Sequence, residues 1–243
     1  LNTSQNPEEI IEMIKNAEKY AEKNPNASRK GIRMLFYGLS GTGKTEFARY
    51  ISSCLGKDIL LKRASDILDK YVGESEKHIK DAFQEAEATN SILLFDEADS
   101  FFADRNSVHN SWERTQVNEF LTQMEEFGGI LICTTNLKQI MDSAMNRRFH
   151  MIVEFKSLTE NGIECMLKRY FEDYDFSKNQ INSLYQYESV TPGDFGVVMD
   201  KIRFMSSEKV SSQLICDELR NIQEEKNNGE FCKNSKRTVG FAV

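Results

Sequence analysis

Gly38-Leu39-Ser40-Gly41-Thr42-Gly43-Lys44-Thr45 matches the phosphate-loop pattern G-x-x-x-x-G-K-[ST] at every fixed position. Ile32 to Tyr37 ahead of it reads as a buried strand, and Glu46 to Ile51 behind it as the opening of a helix. The motif needs that context, because successive backbone N–H groups converge at a helix N-terminus, where the partial positive charge favours an anion. Glycines let the main chain close around phosphates. Lys44 supplies a point charge for the β- and γ-phosphates, and the Thr45 hydroxyl a ligand for Mg2+. Nucleotide binding is therefore the first expectation, with Gly38, Leu39, Ser40, Gly41, Thr42, Gly43, Lys44 and Thr45 as its residues.

A second apolar run, Ser91-Ile92-Leu93-Leu94-Phe95, ends directly in Asp96-Glu97-Ala98-Asp99. A run apolar on both faces predicts a central parallel strand, and ligands of such sheets bind at the carboxyl ends of the strands. A carboxylate there, Asp96, is suited to holding Mg2+, and Glu97 beside it to polarising an attacking water. The pair points to hydrolysis rather than binding alone. A third buried strand, Gly129 to Thr135, stops at Asn136, whose amide can hydrogen-bond the γ-phosphate or the water. Arg147-Arg148 precedes a further strand, His150 to Phe155. Guanidinium donors stabilise charge on a transferring phosphoryl group, and an arginine acting this way is worth about 10³ to 10⁵ in rate.

Five strands, the fifth being Asp58 to Leu61, alternate with helices at Glu46 to Leu55, Glu76 to Ala88 and Trp112 to Phe127. That alternation predicts an α/β fold with a parallel sheet covered on both sides. Ahead of it, Asn6, Pro7 and Glu8-Glu9 open a helix with Ile10, Met13, Ile14, Ala17 and Ala21 on one face. After Lys156 the strand signal fades. Thr159 caps one helix, Thr191-Pro192 starts another, and a last one is expected from about Glu208 to Glu225. The tail from Asn227 reads as polar and glycine-containing until Val239-Gly240-Phe241-Ala242-Val243. The expected division is an N-terminal helix or linker over residues 1–27, an α/β domain over 28–156, and a helical domain with tail over 157–243.

The 243 residues carry a formal net charge of −7, which weighs against a general affinity for nucleic acid or anionic membrane. Five scattered cysteines without C-x-x-C spacing indicate neither a disulfide framework nor a zinc site, and a cytoplasmic location is expected. His78, His109 and His150 have no paired metal spacing. No apolar run reaches the length of a membrane span. The chain opens on Leu1 rather than Met, and a natural N-terminal part is expected to be missing.

Together the motifs, in this order from about Gly31 to Asp200, resemble the AAA family of ATPases within the AAA+ superfamily. Gly38 to Thr45 is similar to its Walker A, Ile92 to Glu97 to its Walker B, Asn136 to its sensor 1, and Arg147-Arg148 to its arginine-finger segment. The resemblance implies a P-loop three-layer sandwich with a central five-stranded parallel sheet, followed by a small all-helical lid. It also implies ATP and Mg2+ as cofactors, self-association into a ring, usually a hexamer, and arginine fingers acting on the neighbouring subunit's ATP. Lys70-Tyr71-Val72-Gly73-Glu74 resembles the pore loop of members that thread polypeptides, which marks Tyr71, Val72 and Gly73 as candidate contacts to a protein or peptide substrate. Ser107 to Ser111 is a candidate second channel loop by position alone.

There are departures. Leu39-Ser40 stand where many relatives have two prolines, and Arg147 and Arg148 are adjacent where the family often spaces its arginines, so either is a candidate finger. Thr191-Pro192-Gly193-Asp194 occupies the sensor 2 region without an obvious arginine, and Gly193 is expected to pack near the adenine. Remodelling, unfolding or translocation of proteins is the expected function. The alternatives are an AAA+ machine acting on nucleic acid, and a nucleotide-gated scaffold with little hydrolysis; the acidic charge and the aromatic loop weigh against the first, and Glu97 against the second.

Overall fold

A computed structural model describes residues 1–24, 31–67, 73–101, 111–136 and 147–234. It falls into two compact units, Thr3–Lys156 and Ser157–Val243, the latter joined by Leu1–Asn2.

The first unit is built on five strands, β1 (Ile32–Gly38), β2 (Ile59–Arg63), β3 (Ile92–Asp96), β4 (Ile130–Thr135) and β5 (Met151–Phe155). They form one sheet in the order β2-β3-β4-β1-β5, and every pairing is parallel. Its helices are α1 (Pro7–Lys23), α2 (Lys44–Leu55), the single turn α3 (Ala64–Ile67), α4 (Glu74–Thr89) and α5 (Ser111–Glu126).

The period-two alternation of side chains along each strand decides which layer it feeds. Leu35, Leu93, Phe95, Leu131 and Cys133 pack on one face with Ile79, Ala82 and Phe83 of α4 and Phe120, Leu121 and Met124 of α5. Met34, Phe36, Leu94, Ile132 and Val153 take the other face, with Phe47, Ala48 and Ile51 of α2 and Ile10, Ile11 and Ile14 of α1. Phe120 is fully buried, with its ring 4.7 Å from Phe101 and 5.0 Å from Phe95. Burial of each such side chain contributes about 2 kcal/mol, which makes the aromatic face a main source of the sheet's rigidity. The expected three-layer α/β sandwich is thus the observed one.

The N-terminal stretch is tied to the outer edge of β5. Thr3 bridges Phe155 in antiparallel fashion, and the Ser4 amide donates to the Glu154 carbonyl at 2.9 Å. No helix among the described residues is long and apolar enough to cross a membrane.

The second unit is helical: α6 (Glu160–Tyr170), α7 (Lys178–Tyr185), α8 (Pro192–Ile202) and α9 (Ser212–Asn234). Ile163, Leu167, Phe171, Leu184, Phe195, Val198, Ile215 and Leu219 make its core. Thr159 caps α6 as expected, its hydroxyl accepting the Gly162 N–H at 3.1 Å. Two features differ from the sequence reading. The last helix begins at Ser212 rather than Glu208, after a 3-10 turn at Ser207–Lys209, and it runs on to Asn234 instead of ending near Glu225. Buried Gln223 and the Lys226 ammonium both bond the Asp194 carboxylate, at 2.8 and 2.7 Å, and tie this helix to α8. In addition α7 opens with a reciprocal capping box between Ser177 and Gln180, a signal the hydrophobic pattern does not contain.

Candidate active site

The phosphate loop leaves β1 at Gly38, where φ is 143° and an added Cβ would stand 2.0 Å from the Phe155 carbonyl oxygen. Only glycine fits where β1 passes β5 and turns. Leu39, Ser40 and Gly41 are exposed, whereas Thr42 is buried and its hydroxyl donates to the Leu39 carbonyl at 2.7 Å. Gly43, at φ 95°, precedes α2 directly and supplies no side-chain cap; the first intrahelical bond is Phe47 N–H to the Gly43 carbonyl. The first-turn N–H groups of α2 are therefore left for an anion.

Lys44 lies under this loop, 7% exposed, with Nζ donating to the carbonyls of Gly38 and Leu39, both at 2.9 Å, and to Asn136 Oδ1 at 2.8 Å. Burial lowers its pKa from the ordinary lysine value, while Asp96, Asp99 and Glu97 pull it back up. The next residue, Thr45, donates from its hydroxyl to Asp96 Oδ1 at 2.9 Å. Strands β1, β4 and β3 are neighbours, so the loop, Asn136 and Asp96 meet at one carboxyl end of the sheet.

Two threonines that the sequence reading passed over hold the acids in place. Thr134 donates to Asp96 Oδ1 at 2.6 Å and accepts the Glu97 N–H at 3.0 Å. Thr135 donates to Asp99 Oδ1, the same oxygen that accepts the Asn136 N–H at 3.3 Å. Glu97 is exposed and has φ 55°, a left-handed backbone uncommon outside glycine. The available signal was polar: two hydroxyl residues closing an otherwise apolar strand, next in register to the end of β3, where Phe95 pairs with Cys133.

Arg147 and Arg148 do not join this cluster. They precede β5, and His150 pairs with Arg33 at the start of β1, the end of the sheet remote from the loop. Seven residues of β1 separate the two ends, about 20 Å at the usual rise per residue. Arg148 is half-buried with Nε 2.6 Å from Glu125 Oε1, whereas Arg147 is exposed and has no ion pair among the described residues. Tyr71, Val72 and most of the Ser107 to Ser111 stretch lie outside the described residues. Gly73 is described: at φ 92° it precedes α4 and is exposed. Gly193 sits in the first turn of α8, in the helical unit, where Asp194 accepts the Thr191 N–H at 2.9 Å.

The donor set fits Mg2+, a hard cation that takes oxygen ligands and keeps several waters rather than needing a protein cage. Thr45 and Asp96 offer oxygens side by side, and no cluster of three or more His, Cys, Asp or Glu gathers for a metal among the described residues.

Comparison with known proteins agrees with this geometry. Residues 34–157, just over half of the chain, match the model of the ATPase family associated with various cellular activities (AAA). The chain is 38% identical over 126 residues to the vacuolar protein sorting-associated protein 4 of Dictyostelium discoideum, covering 49% of this chain and 28% of that one. It is 31% identical over 230 residues to the vesicle-fusing ATPase of Arabidopsis thaliana, covering 82% and 30%. With the ATP-dependent zinc metalloprotease FTSH 9, chloroplastic, of the same plant, identity is 29% over 200 residues, covering 78% and 24%. The chain spans less than half the length of each of these curated relatives. Matched along its phosphate loop, acidic strand end and Asn136, the chain belongs to the AAA family of ATPases.

Proposed function

We propose that this chain is the ATPase part of a ring-forming machine that couples Mg-ATP hydrolysis to remodelling of protein substrates. The observation that carries the reading is the division of parts between the two ends of one sheet. Lys44, Thr45, Asp96, Glu97 and Asn136 stand at the carboxyl end, while Arg147 stands about 20 Å away at the amino end, beyond the reach of its own chain's phosphates. That separation supports a guanidinium delivered by a second copy.

In this reading the main chain from Gly38 to Thr45, through the uncapped N–H groups of α2, binds the triphosphate. Lys44 gives up the Gly38 and Leu39 carbonyls for phosphate oxygens, a better partner for a cation than a neutral carbonyl. Thr45 and Asp96 would hold Mg2+, which when bound would neutralise phosphate charge. Glu97 orients and deprotonates the attacking water, and Asn136, whose backbone N–H is held by Asp99 and whose Oδ1 accepts from Lys44, hydrogen-bonds the γ-phosphate or that water. Arg147 of one copy stabilises the charge that develops on its neighbour's transferring phosphoryl group, while Arg148 is held at home by Glu125. Tyr71 and Val72, beside the flexible Gly73, grip an extended polypeptide without reading its sequence. The relatives named above, among them a metalloprotease, support a protein rather than a nucleic acid as the substrate class, and so does the net charge of −7.

The test is the Glu97→Gln variant. It is expected to bind ATP as the unchanged protein does, to assemble with ATP, and to turn over at least 100-fold more slowly, on the order of what general-base catalysis supplies. Sedimentation and steady-state ATPase assays read both. Normal turnover would remove Glu97 from its role, and a monomer with bound ATP at micromolar concentration would remove the ring.

A further inference from the structure

We propose that Arg33, at the start of β1, is the positioning residue that fixes the Arg147-Arg148 turn, so that the arginine offered to a neighbouring copy is held by the strand leading to this copy's own phosphate loop. The inference rests on the trans reading above and names the device that reading lacks.

The Arg33 guanidinium reaches two separate pieces of chain, the end of α5 and the turn from Arg148 to His150. Nε donates to the Arg148 carbonyl at 2.7 Å, and Nη1 to the carbonyls of Met124 and Glu125 at 3.2 and 3.3 Å. Nη2 lies 3.2 Å from Nε2 of His150. The last-turn carbonyls of a helix have no partner within it, and a cation near them is favoured by the helix dipole. Helix α5 has no basic residue in its own last turn, so Arg33 supplies that cation from the adjoining strand.

The backbone explains why a side chain has to do this work. Regular pairing of β1 with β5 begins only at Met34 and Met151. One residue earlier the ladder is improvised: the His150 N–H donates to the Arg33 carbonyl at 2.9 Å, and the Arg33 amide nitrogen lies 3.1 Å from His150 Nδ1. A neutral imidazole has one bare nitrogen, so the ring accepts from either the Arg33 N–H or Nη2, according to its tautomer. The Arg148 carbonyl just before the ladder accepts from Arg33 Nε rather than from a backbone N–H. Glu125 closes the circuit, since its carbonyl accepts from Arg33 while its carboxylate holds Arg148 Nε at 2.6 Å.

Only a planar fork of donors reaches the Arg148 carbonyl and the end of α5 at once, so lysine is no substitute. Loss of the fork removes the donor to the Arg148 carbonyl and leaves the Arg148–Glu125 pair and the His150 N–H bond to the Arg33 carbonyl. A misplacement of about 1 Å at a catalytic group costs roughly 100-fold.

The experiment mixes variants of the full chain. Arg33→Met and Arg33→Lys are expected to bind ATP normally and to lose about 10- to 100-fold in kcat with KM little changed. Each is then titrated with Glu97→Gln subunits, which cannot hydrolyse but have intact Arg147. If Arg33 acts through the turn, the Arg33→Met sites recover turnover when a Glu97→Gln neighbour serves them. An Arg33 that merely supports its own phosphate loop gives no recovery, because the damaged site is the hydrolysing one. Arg147→Ala mixed with Glu97→Gln is the control. Recovery there but not with Arg33→Met overturns this inference alone; recovery with neither overturns the trans reading and this inference with it. Unchanged kcat in Arg33→Met alone also overturns it. Should Arg33→Met not fold, Arg33→Gln, which keeps one donor for the Arg148 carbonyl, carries the same titration.

Discussion

Thr134 and Asp96 are joined across neighbouring strands by a hydroxyl-to-carboxylate hydrogen bond of 2.6 Å, and the same hydroxyl accepts the Glu97 N–H at 3.0 Å. One side chain thus orients both acids at the end of β3. It also accounts for the left-handed backbone of Glu97, since a non-glycine residue at φ 55° costs about 1 to 2 kcal/mol and persists only where its surroundings hold it. Thr134→Val keeps the shape but removes acceptor and donor together, leaving the Glu97 N–H unpaired. We expect a loss of about 1 to 3 kcal/mol in stability and a fall in kcat of about tenfold, with ATP affinity near normal. Thr134→Ser, which restores the hydroxyl, should recover most of both. Urea unfolding and steady-state ATPase assays on the pair decide it, and a kcat that ignores the hydroxyl would separate Thr134 from catalysis.

Lys44 predicts opposite pH trends for stability and for binding. Burial holds its pKa below the ordinary 10.5 in the folded protein, while in the unfolded chain it returns to that value. Between the lowered value and 10.5 the unfolded state binds more protons, so this group makes the nucleotide-free protein gain stability as pH rises through that window. Triphosphate favours the charged ammonium, so binding takes up a proton in the same window and ATP affinity falls as pH rises. Calorimetry in buffers of different ionisation enthalpy measures that uptake, and denaturant unfolding of the free protein measures the other trend. Lys44→Met should abolish the stability trend. ATP affinity flat from neutral pH to 10.5 would show that Lys44 does not meet the phosphates as a charge.

Much of this arrangement was legible because it is written in contiguous residues. The phosphate loop and the acidic strand end each carry their meaning in a short run, and alternating apolar strands and helices gave the three-layer sandwich. What the sequence hid lies in pairings between distant residues. Thr134 and Asp99 look like ordinary polar ends until register sets β4 beside β3, and Arg33 looks like a stray charge in an apolar strand until α5 and the turn before β5 arrive at its side chain. The tie from α9 to Asp194 of another helix was hidden for the same reason. Adjacent Arg147 and Arg148 could not be told apart by spacing; their exposure and the Glu125 pair distinguish them.

That distinction makes the last prediction. Arg147 is exposed and unpaired among the described residues, so Arg147→Ala should leave unfolding free energy within about 0.5 kcal/mol of the unchanged protein, as surface substitutions usually do. Its ATPase rate should nevertheless drop by about 10³-fold or more, the worth of an arginine acting on a transferring phosphoryl group. Arg148→Ala removes a partly exposed pair with Glu125, which contributes at most about 1 kcal/mol, and slackens the turn without removing the guanidinium that a neighbour would use. Its rate should fall less, by about tenfold, in proportion to how far Arg147 is displaced. Parallel measurements of kcat and of urea midpoints on the two variants decide between the arginines. A larger catalytic loss in Arg148→Ala at unchanged stability would reverse the assignment, because it would mean that the Glu125 pair opens when a neighbouring copy arrives.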